Sequence, residues 1–302
     1  MIEGIINCFK QEGITSFGVV NYIKKHLCVK KAGHSGTLDP MAQGVLPVFI
    51  GRATRLIEYQ QDLPKIYRAE MVLGERTDTQ DITGMVLEKK EPGIIKKEEI
   101  LSLFEKFTGT IEQIPPMYSA VKYHGKKLYE LARKGIEIDR QPRKVSIFRI
   151  TLIEPYCEIV PSVSFEVECS SGTYIRTLCD DMGQVLGCGA CLNSLVRIST
   201  GPFHISFSYK LDEIEESYLS GHIDEIVLPF DYSVKHLPSV TVLPDFETDL
   251  LNGKGLALNQ VEGYNLLPFR KVCIYNCDKL LLAVSEVRED MSLKPLKVFN
   301  SL

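Results

Sequence analysis

The amino-acid sequence predicts an α+β fold followed by a small all-β domain. Two strand patterns lie far apart, at residues 67–73 and 163–169, and the second alternates apolar with polar side chains. Helical spacing of apolar residues precedes the first pattern and follows the second. Near the C-terminus, short apolar runs at 272–275 and 280–284 flank turn residues, as in a β-hairpin.

Two helices are predicted with caps. The first begins at Thr15 or Ser16 and ends in three basic residues that suit a helix C-terminus. Its core positions are expected to be Phe17, Val20, Ile23 and Leu27. The second follows the strand at 163–169, is capped within residues 170–173, and closes at Gly187 and Gly189. Its apolar stripe is expected to be Ile175, Leu178, Met182 and Val185.

A domain boundary is expected near residue 232. Residues 212–224 are rich in acids, and Pro229, Pro238 and Pro244 interrupt the sequence that follows. The sequence therefore predicts two domains, at 1–232 and 233–302.

The composition is that of a soluble protein, with 44% hydrophobic and 25% charged residues. No stretch approaches the roughly 20 apolar residues of a membrane span, and the N-terminus has no signal-peptide run. Nine cysteines, an odd number spread over the chain, suit a reducing cytoplasm better than a disulfide framework. A zinc site pooled from the pairs Cys188/Cys191 and Cys273/Cys277 is a minor alternative.

The net charge of −4 hides an asymmetry that bears on nucleic-acid binding. Residues 1–150 carry 24 Lys and Arg against 18 Asp and Glu, whereas residues 151–302 carry 11 against 21. The densest basic stretch, 121–150, interleaves with Tyr123 and Tyr129 and follows Tyr118. Cations beside aromatic side chains are typical of RNA contacts, although a solvated helical face would give a similar pattern.

The loop at residues 33–47 holds three glycines and two prolines around His34 and Asp39. Glycine allows close approach of a ligand, and Pro40 restricts the backbone of Asp39. A phosphate-binding loop is excluded because the Lys-Ser/Thr pair expected after the last glycine is missing. A tight loop with a purely structural role is the alternative to a catalytic one.

Four blocks of sequence together resemble the TruB family of tRNA pseudouridine synthases, and the resemblance extends over essentially the whole chain. The blocks are Gly33–Pro40 with Gly44–Pro47, then Lys65–Ala69 leading to Gly74–Asp81, then Pro115–Lys122, and finally Ser171–Leu178. The resemblance implies a mixed central sheet flanked by helices, the pseudouridine synthase fold, with a C-terminal PUA-like domain. It also implies an RNA-gripping insertion near 118–150.

The resemblance assigns roles to individual residues. Asp39 falls on the catalytic aspartate, Tyr67 on the aromatic that stacks on the target base, and Arg176 on the cation that pairs with the aspartate. His34, Tyr174 and Leu195 fall on residues that line the base pocket. Lys10 is expected on the substrate side, although Gln11 follows it where the family usually has proline.

Pseudouridine formation breaks the bond from ribose C1′ to uracil N1 and joins C1′ to C5, so no cofactor is expected. An ionised Asp39 could attack either C1′ or uracil C6, and Tyr67 could remove a sugar proton. Asp78 and Asp81, three residues apart among threonines, could bind Mg²⁺, but a turn held by Asp and Thr side chains is the simpler interpretation.

The resulting hypothesis is a monomeric cytoplasmic isomerase that acts on uridine 55 in the T loop of tRNA, without metal or membrane contact. Two rival hypotheses stay open. The protein could serve chiefly as an RNA-folding chaperone, or it could act within a guide-dependent ribonucleoprotein.

Overall fold

The computed structural model describes residues 2–119, 121–123, 125–263, 267–268 and 270–299. Within these residues, no helix is both long and apolar enough to cross a membrane. The helices are α1 (Ser16–His26), α2 (Ile57–Gln60), α3 (Lys97–Phe107), α4 (Leu128–Ala132), α5 (Ile175–Leu186), α6 (Leu211–Leu219) and α7 (Pro244–Leu251). The strands are β1 (Gly4–Lys10), β2 (Ala32–His34), β3 (Gln43–Ile50), β4 (Lys65–Leu73), β5 (Glu75–Thr77), β6 (Val86–Lys89), β7 (Gly109–Gln113), β8 (Lys122–Tyr123), β9 (Lys126–Lys127), β10 (Arg143–Leu152), β11 (Ser162–Cys169), β12 (Ala190–Thr200), β13 (Phe203–His204), β14 (Val227–Leu228), β15 (Ser239–Val242), β16 (Val261–Glu262), β17 (Lys271–Tyr275), β18 (Leu281–Val287) and β19 (Leu293–Val298).

A mixed central sheet organises the larger part of the chain, as the sequence predicts. Its main path runs β14-β1-β3-β12-β4-β11-β10-β7, with β2 beside β3 and β13 beside β12. The described pairs in this sheet are antiparallel apart from β3 with β12. The predicted loop at 33–47 is irregular only at residues 35–42, because its two ends belong to β2 and β3, and the parallel pair places β3 directly beside β12.

Both faces of β1 and β3 are covered, which explains why β3 is buried at nearly every position. On one face, Cys8 and Val48 pack with α1 and α6. On the other, Val45 and Phe49 share a core cluster with Val284 of the C-terminal sheet. A further core lies between β4, β11 and β12 and the helices α3 and α5.

The C-terminal sheet has the order β16-β15-β17-β18-β19 and contains the predicted hairpin, formed by β17 and β18. It also carries α7, which the sequence analysis did not anticipate, so this part of the chain is not purely β. Arg55 Nη1 donates to the Val298 carbonyl at 2.6 Å, and its guanidinium lies over the Phe299 ring at 4.9 Å. These contacts join the C-terminal sheet to the segment after β3.

The helix α1 is confirmed with Thr15 as its N-cap, because the Thr15 side chain accepts from the Gly18 amide. Phe17 was wrongly assigned to its core face. Phe17 is 67% exposed, whereas Val19 is fully buried. The apolar residues of its buried face are Val19, Val20 and Ile23, which pack against β1 and β3.

The helix α5 ends at Gly187 in the left-handed conformation, as predicted. The predicted side-chain cap is wrong, because the N-cap is Tyr174 and its side chain makes no capping bond. Ser170 and Thr173 instead close the preceding turn, with the Thr173 hydroxyl donating to the Ser170 carbonyl at 3.0 Å. Val185, placed on the apolar stripe, is exposed.

The basic stretch divides into two structurally different parts. Residues 143–150 belong to β10, which pairs with β7 and β11 inside the central sheet. Residues 114–142 form an excursion between β7 and β10 that carries β8, β9 and α4. The excursion is therefore shorter at its C-terminal end than the sequence analysis expects.

Replacing Phe165 with alanine tests the packing of the central sheet. Phe165 is fully buried in β11, and the centroid of its ring lies 5.6 Å from the ring centroid of Phe104. We expect Phe165→Ala to lower the free energy of unfolding by about 3–5 kcal/mol, measured by urea denaturation. Phe148→Ala, at a half-exposed position of β10, should cost less than about 1 kcal/mol. Equal losses would contradict this assignment of the core.

Candidate active site

Asp39 lies on an irregular loop between β2 and β3, with its side chain 38% exposed. The loop is tied to the N-terminal turn of α1 through Ser16. The Ser16 hydroxyl donates to the Leu38 carbonyl at 2.9 Å and accepts from the Leu38 amide at 2.8 Å. This reciprocal pair fixes the backbone immediately before Asp39.

Lys10 supports the same loop from within the protein. Its ammonium is fully buried and donates to the carbonyls of Gln11 and Pro40, at 3.1 Å each, and to that of Ala42. The expected substrate contact of Lys10 is therefore corrected, because its three donors already bind backbone carbonyls. Burial lowers the pKa of Lys10 to about 8, against the opposing effect of the Asp39 carboxylate.

Gly44 ends the loop where β3 meets β12. Its φ is +106°, and a Cβ placed there would lie 2.3 Å from the Arg197 carbonyl oxygen. The position therefore excludes any side chain. The close approach allows the parallel pairing of β3 with β12 and fixes where the loop returns to the sheet.

Arg176, in the first turn of α5, forms the ion pair with Asp39 that the sequence predicts. Its Nε lies 2.8 Å from Asp39 Oδ2, and its side chain is 6% exposed. The remaining guanidinium nitrogens donate to the carbonyls of Thr79 and Tyr118 at 2.9 Å each. A buried guanidinium held at all its nitrogens can orient the carboxylate it binds.

Asp81 is a second carboxylate beside Arg176 that the sequence analysis did not connect to the site. Its Oδ2 lies 3.6 Å from Arg176 Nη1. Its Oδ1 accepts from the hydroxyls of Thr79 and Thr83 at 2.8 and 2.6 Å, as a turn stabilised by Asp and Thr side chains requires. Nothing in the sequence alone links residues 81 and 176, which come together only in the folded chain.

The carboxylates and cysteines do not assemble a metal site among the described residues. No group of three or more His, Cys, Asp or Glu side chains there could hold an ion. Asp78 accepts from the Met85 amide at 2.7 Å, which supports the turn interpretation of the acidic pair. Cys191 lies in β12 and Cys273 in β17, so the proposed zinc ligands are divided between two sheets.

Tyr67 and Leu195 lie on adjacent strands, β4 and β12, and are both buried in one cluster with Leu38. Burial raises the pKa of Tyr67, and hydrogen bonding and charge from Arg197 partly oppose this. The structure thus brings both predicted residues close to the Asp39 loop.

His34 and Tyr174 are both half-buried. The His34 Nδ1 is buried without a hydrogen-bond partner, and burial together with the Arg197 charge lowers the pKa of His34. The backbone of Tyr174 is clamped by Gln113, whose side chain accepts from the Tyr174 amide at 3.0 Å and donates to its carbonyl at 3.2 Å.

Comparison with known proteins agrees with this geometry. Residues 24–175 match the TruB family pseudouridylate synthase N-terminal domain, and residues 176–235 match the tRNA pseudouridylate synthase B C-terminal domain. This chain belongs to the TruB family. The tRNA pseudouridine synthase B of Dehalococcoides mccartyi is 41% identical over 99% of this chain and 97% of its own length. That of Alkaliphilus oremlandii is 41% identical over 100% and 99%.

Two solved structures share the fold of this TruB family member. One is an H/ACA RNP bound to a substrate RNA containing 2′-deoxyuridine, with a TM-score of 0.78 and 26% identity over 99% of this chain and 85% of that chain. The other is a Cbf5-Nop10-Gar1 complex, with a TM-score of 0.78 and 28% identity over 98% and 84%. The fold of both sheets therefore recurs in solved relatives.

The buried ammonium of Lys10 gives a pH-dependent prediction. Lysine in the unfolded chain titrates near 10.5, whereas folded Lys10 titrates near 8, so the unfolded state binds more protons between these values. The stability of the wild type should therefore rise relative to Lys10→Met as the pH increases from about 8 to about 10. Urea unfolding at pH 7.5, 8.5 and 9.5 measures the difference.

The matched control for Lys10→Met is Lys24→Met, at an exposed position in the last turn of α1. The prediction is contradicted if the free energy of unfolding of the wild type, relative to that of Lys10→Met, stays constant or falls as the pH rises. Burial would then not lower the pKa of Lys10.

Proposed function

We propose that this TruB family member isomerises uridine 55 in the T loop of tRNA to pseudouridine, with Asp39 as the catalytic carboxylate and no cofactor. The observation that carries the proposal is the ion pair between the partly exposed Asp39 and the buried Arg176. It holds a carboxylate next to the buried cluster that contains Leu38, Tyr67 and Leu195, in a chain whose relatives are named tRNA pseudouridine synthase B.

The reaction needs a nucleophile but no exchange of atoms with a second reactant. The bond from ribose C1′ to uracil N1 breaks, the base turns, and a bond from C1′ to C5 forms, while the C5 proton is lost and N1 is protonated. A carboxylate paired with a guanidinium is negatively charged and needs no separate activating base. Asp39 keeps 38% of its side chain accessible, so one face is open to substrate.

The target base must leave the T loop before it reaches Asp39. Extruding a base costs a few kcal/mol, and stacking and hydrogen bonding in the pocket offset that cost. We assign stacking to Tyr67, apolar contact to Leu195 and a polar contact to the imidazole of His34. Tyr174 borders the same site through the first turn of α5.

The excursion at 114–142 supplies the surface expected to hold the T-arm. It is anchored to the site, because the Tyr118 carbonyl accepts from Arg176. Lys126 and Lys134 are exposed on it and available for phosphates. The excursion therefore joins RNA binding to the catalytic ion pair.

We also infer a monomer that acts in the cytoplasm, with a synthase domain at 1–232 and a PUA-like domain at 233–302. The division falls between β14, the last strand of the central sheet, and β15, the first strand of the C-terminal sheet. All nine cysteines are free thiols, which suits a reducing compartment.

The variant Asp39→Asn separates catalysis from RNA binding. It keeps the shape of the side chain and removes its charge, so tritium release from [5-³H]uridine tRNA should fall by about 10⁴-fold or more. The affinity for tRNA should stay within about threefold of the wild type, because the phosphate contacts are elsewhere. Asp62→Asn, at an exposed position, should retain full activity.

The same variant discriminates between the rival hypotheses. An RNA chaperone without catalytic function would release no tritium even as the wild type, and that result would end the enzyme proposal. Unchanged isomerisation in Asp39→Asn would remove Asp39 as the catalytic carboxylate. If the protein required a guide RNA, the purified protein would leave a bare T-arm transcript unmodified. The proposed stand-alone enzyme should modify that transcript without any other component. The 41% identity to tRNA pseudouridine synthase B, against 26–28% to the ribonucleoprotein chains, favours the stand-alone enzyme.

Neutralising the excursion should weaken RNA binding without slowing chemistry. Lys126→Ala and Lys134→Ala are each expected to reduce the slope of log Kd against log salt concentration by about 1. The single-turnover rate at saturating tRNA should be unchanged. The control is Lys254→Ala, because Lys254 lies beyond the end of α7 and pairs with Asp249. An unaltered salt dependence in both excursion variants would remove this segment from the RNA interface.

A further inference from the structure

Arg197 is among the most deeply buried large side chains of the protein, with 1% of its surface exposed. It occupies β12 two residues after Leu195, on the same inward face. In the sheet it lies opposite Tyr67 of β4 on one side and Gly44 of β3 on the other. One residue is thus placed between the strand of Tyr67 and the loop of Asp39.

The guanidinium of Arg197 binds both ends of the Asp39 loop. Its Nε donates to the Val45 carbonyl at 2.7 Å, and its Nη2 donates to the Gly36 carbonyl at 3.1 Å. Gly36 lies in the irregular backbone between β2 and β3, so its carbonyl has no regular strand partner and accepts from Arg197 instead, whereas Val45 lies in β3. The loop is therefore closed around Asp39 by one planar group.

The third neighbour of Arg197 is Tyr67, which lies directly opposite it on β4, and the Arg197 charge partly opposes the rise in the pKa of the Tyr67 hydroxyl that burial causes. The same guanidinium therefore touches a wall of the proposed base pocket and the two flanks of the nucleophile loop. A shift of the loop would break a hydrogen bond to a buried charge, which is costly, and a shift of Tyr67 would remove the side chain packed opposite that charge.

The charge of Arg197 is not neutralised by these contacts. The hydrogen-bond partners that the described part of the chain provides are two carbonyls, and the buried Lys10 and Lys65 lie near enough to repel it. Arginine stays protonated in proteins, so the charge cannot be relieved by loss of a proton. Apolar residues often replace buried charges without loss of stability, so packing alone does not account for an arginine here.

We propose that Arg197 is a positioning residue that fixes the Tyr67 hydroxyl and the Asp39 loop in one relative geometry. The inference rests on the proposed function, because Tyr67 and Asp39 act there on the same nucleoside. Loss of Arg197 would leave the two groups present but free to move relative to each other. Its effect should therefore fall on the chemical step and spare RNA binding.

The test compares Arg197→Met with Arg197→Lys in single-turnover pseudouridine formation at saturating tRNA. Arg197→Met fills the space and should slow the reaction by about 100-fold or more, as small misplacements in active sites do. Arg197→Lys retains the charge, but its single ammonium can replace only some of the hydrogen bonds of the guanidinium. The rate of Arg197→Lys should therefore be at least fivefold higher than that of Arg197→Met. The affinity for tRNA, measured for each change in the Asp39→Asn background, should stay within about threefold.

The matched control is Arg52→Met, at the opposite end of β3. Arg52 pairs with Glu3 through two contacts of 2.7 Å, so its loss should lower stability without slowing the reaction. If the role of Arg197 were purely structural, the activity of Arg197→Met and of Arg52→Met would each fall only in proportion to the fraction of protein that is folded. Unchanged rates in Arg197→Met, or a loss explained by tRNA affinity alone, would overturn the proposal.

A second measurement does not depend on activity. Free energies of unfolding for Arg197→Met, Tyr67→Phe and the double variant form a cycle that reports coupling between the two side chains. The proposal expects non-additive effects, and additive effects would reject the link. If Arg197→Met does not fold, the cycle is completed with Arg197→Lys. An inactive wild type would refute the proposed function and leave the cycle as the test of this contact.

Discussion

The ion pair between Arg176 and Asp39 is the interaction on which the proposed site depends. Its two members lie far apart in the sequence, and the partner of the carboxylate is buried while the carboxylate itself stays partly open. Because of this asymmetry, the buried Arg176 fixes the orientation of the Asp39 carboxylate, which stays accessible at the protein surface. The carbonyls of Thr79 and Tyr118 bind the rest of the guanidinium, so it has little freedom to turn away.

The fold brings four separate segments to this pair. The turn at 78–83 supplies Thr79 and Asp81, the excursion at 114–142 supplies Tyr118, α5 supplies Arg176, and the loop before β3 supplies Asp39. The loop is supported by cations on both sides, Lys10 below Pro40 and Arg197 between Gly36 and Val45. The geometry of the proposed site is thus specified mainly by buried donors that bind backbone carbonyls.

The sequence predicted the local structure of this protein better than its long-range contacts. The observed strands at 65–73 and 162–169 contain the predicted strands at 67–73 and 163–169, the second of which was indicated by alternation, and the end of α5 follows from Gly187. Phe17 failed because residues 17 and 19 are both apolar and the tertiary contacts of α1 decide which one faces the sheet. The family resemblance identified Asp39 and Arg176 as partners, which no spacing rule could do.

Burial of charged side chains was the part that sequence reasoning missed. Lys10 was expected at the substrate and lies beneath the loop, because a lysine in a strand gives no indication of what its ammonium binds. Arg197 passed unnoticed, although its period of two from Leu195 was a usable signal for an inward-facing charge. Asp81 was correctly placed in a turn, but only one of its oxygens serves that turn, and the other faces Arg176.

The most direct test of this account is a crystal structure of the Asp39→Asn variant bound to a T-arm RNA. The account predicts that uridine 55 is turned out of the loop, with C1′ or C6 within about 3.5 Å of the side chain at position 39 and the base against Tyr67. A target uridine that stays stacked in the T loop, or that binds away from Arg176, would contradict it.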